Sequence, residues 1–122
     1  MAHTTVVQNP IAEKTTALLT AYLTDENDDA IVPAGLDTVT FTLYDAVLGT
    51  IINSRSAVDV LSKVDAAGKL SLILTPDDTV LLSQANSRER RVAYFDWTYG
   101  TSGDKTGRHE VRFVIHNMDK VP

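Results

Sequence analysis

Residues 91–99 read RVAYFDWTY and residues 108–116 read RHEVRFVIH, with a glycine-bearing connection over residues 100–107 between them. Side chains of an extended strand point alternately to its two faces. Ala93, Phe95 and Trp97 therefore share one side of the first run, and Tyr94, Asp96 and Thr98 share the other. Val111, Phe113 and Ile115 separate in the same way from Glu110, Arg112 and His116. The pattern predicts a half-buried β-hairpin.

The same period of two runs back through the chain. Residues 70–74 (LSLIL) send Leu70, Leu72 and Leu74 inward, and residues 38–45 (TVTFTLYD) send Val39, Phe41 and Leu43 inward with Thr38, Thr40, Thr42 and Tyr44 outward. Residues 15–23 (TTALLTAYL) place Ala17, Leu19, Ala21 and Leu23 on one face. A helix is the rival reading there, but three threonines and the alternation favour a strand. Residues 50–54 (TIINS) follow a connection, residues 46–49, short enough for a hairpin. The polar run TDENDD at residues 24–29 predicts a turn, since its side chains bond their own backbone and have nothing to bury. Residues 55–64 read either as one helical turn capped by Ser56, with Asp59 at the third position, or as a loop. Thr75-Pro76-Asp77-Asp78 is a helix start, with a Thr cap, Pro where its missing N–H costs nothing and an acid three residues on. It predicts a short helix through about Leu82. Val6, Val7 and Ile11 surround Asn9 and Pro10, which reads as an arm or an edge strand with a break.

About seven strands with at most one or two short helices predict an all-β chain, an antiparallel β-sandwich, with a barrel as the structural alternative. The expected division is an N-terminal arm over residues 1–14, a sandwich domain over residues 15–117 and a tail over residues 118–122. A length of 122 residues suits one core. No run of about 18 apolar residues occurs, so no membrane insertion is expected, and the opening MAHTTVVQNP shows neither the cationic start nor the apolar stretch of a secretory signal. The absence of cysteine removes disulfides, thiolate ligands and thiol nucleophiles. A formal charge of −5 weakly repels phosphate backbones, so no nucleic-acid partner is expected. The basic cluster of Arg88, Arg90 and Arg91 is interrupted by Glu89 and reads as a protein contact or a solvated strand entrance.

No catalytic, cofactor or metal site is expected. Asp25, Asn27 and Asp29 open like a calcium loop, but Ala30 stands where glycine is needed and Leu36 where the closing glutamate belongs. Gly103-Asp104-Lys105-Thr106-Gly107 lacks the spacing of a phosphate loop and precedes a strand, so its glycines read as hairpin-tip residues. His109 and His116 have opposite parity on one strand and leave opposite faces, and no nucleophile elbow accompanies the serines. Asp77 and Asp78 fit the start of a helix, whose dipole favours acids. Trp97 shares the inward parity of Ala93 and Phe95, which favours core over a sugar-stacking platform, while Tyr22 and Tyr44 fall on outward rows suited to contacts.

The segments NPIAEKTTALLTAYLTDE (residues 9–26), TVTFTLYDAVLGTIINSR (38–55), VDAAGKLSLILTPDDT (64–79), RVAYFDWTYG (91–100) and TGRHEVRFVIHNMDKVP (106–122), in this order, resemble the small immunoglobulin-like virion structural proteins of tailed bacteriophages. The resemblance implies an immunoglobulin-like β-sandwich, made in the host cytoplasm and built into the virion. Such a protein is not an enzyme; it is an accessory or decoration component of the capsid or neck, docking on other virion proteins and on copies of itself. The alternatives are a tail or baseplate adaptor carrying a receptor-binding protein, and a carbohydrate-binding module built on Trp97. The expected contacts are Val6, Val7 and Ile11 on the arm, which would add a strand to a neighbour's open edge, and Arg88, Arg90 and Arg91. Deleting residues 1–14 is expected to abolish incorporation while leaving the sandwich folded.

Overall fold

The hairpin expected from the alternation forms the middle of the larger of two sheets. The computed structural model describes residues 2–119. Its strands are β1 (Ala2–Val6), β2 (Ile11–Ala12), β3 (Ala17–Tyr22), β4 (Leu36–Asp45), β5 (Val58–Asp59), β6 (Lys69–Leu74), β7 (Arg88–Tyr99) and β8 (Lys105–His116), with single 3-10 turns at Pro33–Gly35, Leu61–Lys63 and Pro76–Thr79. The large sheet runs β1-β8-β7-β4-β5, with β2 also on β8; β3 and β6 form the second sheet. β7 and β8 pair from Arg88 opposite His116 to Tyr99 opposite Lys105. β3 and β6 thus form one layer and β4, β5, β7 and β8 belong to the other, an arrangement consistent with a β-sandwich.

The inward rows read from the sequence are the core. Leu19, Ala21, Leu23, Leu70 and Leu74 from the small sheet meet Val39, Phe41, Leu43, Phe95, Trp97, Val111, Phe113 and Ile115 from the large one, all buried. Phe41 and Phe95, directly opposed on β4 and β7, stack with ring centroids 5.3 Å apart. Trp97 lies over Gly107 on β8, where an added Cβ would overlap the indole, so glycine at this position makes room for the largest side chain of the core. The indole N–H donates to the Thr24 carbonyl at 3.2 Å, satisfying its polar edge.

Four expectations change. Of the two readings of the N-terminal segment, the edge strand with a break holds and the free arm does not: β1 and β2 pair with β8, interrupted at Gln8, Asn9 and Pro10, but in parallel, so the large sheet is mixed rather than antiparallel. Proline and the turn residues before it explain the break. Residues 50–54 are not a strand, because Asn53 and Ser54 have positive φ (52° and 56°) and Asn53 Nδ2 donates to Asp78 at 2.8 Å. Residues 55–64 hold both β5 and a 3-10 turn. The helix expected from Thr75 stops at Thr79: its capping box with Asp78 forms, but Thr79 Oγ1 then donates to the Thr15 carbonyl at 2.9 Å and Leu81 enters the core. Bonds to other segments outweigh a local start signal.

Candidate functional site

Asp45, the last residue of β4, has the parity of Phe41 and Leu43 and therefore points inward. Glu89 and Arg91 have the inward parity of Phe95 and Trp97 on β7, and Arg91 lies directly opposite Asp45. Three charged side chains thus continue the apolar rows at one end of the sandwich. Arg91, at 0% exposure, donates through Nη1 to Asp45 Oδ1 at 3.0 Å, and through Nη2 to Glu89 Oε1 at 2.7 Å and the Val80 carbonyl at 2.8 Å. Its Nε has no partner among the described residues.

Each carboxylate also holds a loop. Asp45 Oδ2 accepts the N–H groups of Val47 at 3.1 Å and Leu48 at 2.7 Å, fixing the tight turn after β4. Glu89 accepts the N–H groups of Leu82 at 2.8 Å and Ser83 at 3.0 Å and the Asn86 amide at 2.7 Å, fixing the loop before β7. Burial pushes the Glu89 carboxyl pKa up, but these N–H donors and the Arg91 guanidinium outweigh it and hold the group below its ordinary value. A charge left alone in such a place would cost about 3–5 kcal/mol, so the two loops and the guanidinium depend on one another.

The clamp carries an apolar tip. Val47 and Leu48 are 76% and 72% exposed although their backbone is tied down, and Leu82 beside them is also exposed. A groove of about 600 Å³ runs between the two loops and is flanked by the exposed side chains of Arg88 and Arg90.

The opposite end has the contrary character. Residues 24–37 contain five acidic and no basic side chains. They border a hollow of about 610 Å³ lined by Ile31, Val32 and Leu36, by Asp25, Glu26 and Asp37, and by Lys105. Glu26 accepts from Lys105 Nζ at 2.7 Å and from the Tyr99 hydroxyl at 3.3 Å; the lysine contact is the leading cause that holds its carboxyl below its ordinary value. Gly68, at φ +78°, lets the turn after Val64 pack against the Ile31 backbone, where a Cβ would collide with the Ile31 carbonyl. Asp25 Oδ1 accepts the N–H groups of Asn27 at 2.9 Å and Asp29 at 3.0 Å, so the calcium-like spacing serves to cap its own turn.

The residues expected as contacts are dispersed. Val6 is exposed on β1, whereas Val7 and Ile11 pack against the core. Arg88 and Arg90 are exposed at the clamped end, but Arg91 is wholly buried and makes no outside contact. Trp97 is also at 0% exposure, which removes it as a sugar-stacking platform. His109 is buried within 2.8 Å of Thr5 Oγ1, and His116 is half-buried on the other face. Among the described residues no group of three or more His, Cys, Asp or Glu is placed to hold a metal, and no helix is long and apolar enough to cross a membrane. Sequence reading missed the clamp and its tip. Their signals were the shared parity of Asp45, Glu89 and Arg91 with the core rows, and two adjacent aliphatic residues in a four-residue connection. Comparison with protein-family models, curated proteins and solved structures finds no match.

Proposed function

We propose that this chain is a non-catalytic virion structural protein of a tailed bacteriophage, an accessory or decoration component of the capsid or neck that works by docking protein surfaces. The observation that carries the docking role is the tip: Val47 and Leu48 stand in water while Asp45 holds their backbone rigid. Each side chain forgoes roughly 1.5–3 kcal/mol of burial. A buried three-charge clamp beneath an exposed aliphatic pair is the build of a preorganised anchor, which loses little conformational freedom on binding. The phage setting is supported by the order of segments that resembles the immunoglobulin-like virion proteins.

The test uses particles assembled with the Val47→Asp, Leu48→Asp double variant. Its melting temperature stays near that of the parent, because both side chains are already exposed, and its copy number per purified particle falls sharply. Parental copy number with an intact fold would remove the tip from the docking role. Absence of the parent chain from purified particles would remove the virion setting itself.

A further inference from the structure

The two ends of the sandwich are opposite in charge, and one offers exposed aliphatic side chains where the other has a hollow. One end bears a fixed aliphatic knob, Val47 and Leu48, flanked by Arg88 and Arg90. The other has a hollow of about 610 Å³ lined by Ile31 and Leu36 and by Asp25, Glu26 and Asp37, with Lys105, which is paired to Glu26, also on its wall, so that Asp25 and Asp37 are the acids left to meet a cation. That volume has room for two aliphatic side chains. Val32, 47% exposed in the lining of the hollow, can in turn meet Leu82, 46% exposed beside the knob. The ends are opposite because β4 runs from Leu36 at the hollow to Asp45 at the clamp, a span of roughly 30 Å. The hollow and the knob therefore cannot meet within one molecule.

We infer that the occupant of the acidic hollow is the knob of a second copy of this chain, so that copies associate head to tail. This rests on the docking reading above and names its partner. Arg88 and Arg90 of one copy face Asp25 and Asp37 of the next, and Val47 and Leu48 enter over Ile31 and Leu36. Such a contact is heterologous: each copy uses one surface to give and another to receive, and repetition closes a ring or extends a filament. Individually weak contacts gain avidity when repeated around a symmetric particle. The acidic balance of the chain, −5 overall, does not oppose this arrangement, because the attraction is between its separate ends.

The test is sedimentation of the full chain over a concentration series up to about 1 mM, where even millimolar affinity becomes visible. At low salt the mean mass rises with concentration and passes that of a dimer. In about 1 M salt, where the screening length shrinks to about 3 Å, it falls back. A knob variant (Val47→Asp, Leu48→Asp) and a rim variant (Ala34→Lys, Asp37→Lys) each stay monomeric when alone. Mixed, they form a one-to-one dimer that does not grow, since one sound knob and one sound hollow remain. The pair Arg88→Glu, Arg90→Glu serves as a second knob-side variant; mixed with the rim variant its mass passes that of a dimer, because charge reversal adds a second contact to the one made by the remaining sound knob and sound hollow. Thermal melts confirm that each variant is folded. A parent chain that stays monomeric at every concentration, or that stops at a symmetric dimer still formed by both variants alone, would overturn the inference. If self-association fails while the Val47, Leu48 variant is still lost from particles, the docking role stands and its partner is another protein.

Discussion

Arg91 shows how a residue can look like surface chemistry and act as structure. It stands in RERR, the most basic stretch of the chain, yet its parity places it among Ala93, Phe95 and Trp97, and it is buried between Asp45 and Glu89. Replacing it by methionine keeps bulk and leaves two carboxylates without their cation, so Arg91→Met should cost about 3–5 kcal/mol in denaturant unfolding, far more than an exposed arginine would. Acid should act on the same places. The folded pKa of Glu89 is lowered from 4.5, and that of Asp78 is lowered from 3.8, where Arg55, Asn53 and Thr75 outweigh the upward push of burial. A depressed folded pKa gives stability that is complete above the unfolded value and is lost as pH falls through the folded one. The melting temperature should therefore decline as the solution is taken below pH 4.5, and Asp78→Asn, weaker at neutral pH, should decline less steeply. A parent protein whose melting point is unchanged by acid would contradict both assignments.

At the level of elements, the β7–β8 pair is the frame to which the rest is attached. Its outstanding local fit is Trp97 over Gly107. A methyl group there has nowhere to go, because the indole is itself hydrogen-bonded to Thr24 and enclosed by the core. Gly107→Ala should lose about 1–3 kcal/mol or more, read as a drop in melting temperature, with the loss concentrated in faster amide exchange along β7 and β8. The period-two pattern made β3, β4, β6, β7 and β8 legible, because each buries one face and exposes the other. It did not disclose β5, which has two residues and no room for a pattern, nor the end of the 3-10 turn at Thr79, which depends on Thr15 more than sixty residues away.

For the whole molecule, the N-terminal strands matter more than an arm would. β1 and β2 cover the outer edge of β8, and Val7 and Ile11 lie against the core. Removing residues 1–12 should lower stability by about 2–4 kcal/mol and leave β8 as an open edge. Light scattering in about 1 M salt, where the head-to-tail contact is screened, should then show aggregation that the intact chain does not; a truncated chain that stays unaggregated there and is as stable as the parent would restore the free-arm description. The exposed aliphatic tip and the acidic hollow also belong to this scale, since neither exists until the strands set them at opposite ends.

Local alternation was enough to establish an all-β chain with two faces, because whether a side chain points in or out follows from its place along a strand. From residues alone one could write the inner rows of the sandwich, the burial of Trp97 and the acidic turn at residues 24–29. Which segments lie side by side could not be written that way: the parallel pairing of β1 with β8, the convergence of Asp45, Glu89 and Arg91, and the opposition of knob and hollow join residues far apart in the chain. Such pairings are settled by the packing of one sheet on the other, where the competing placements of a loop or edge differ in buried area and satisfied charge, quantities that no short window of sequence contains.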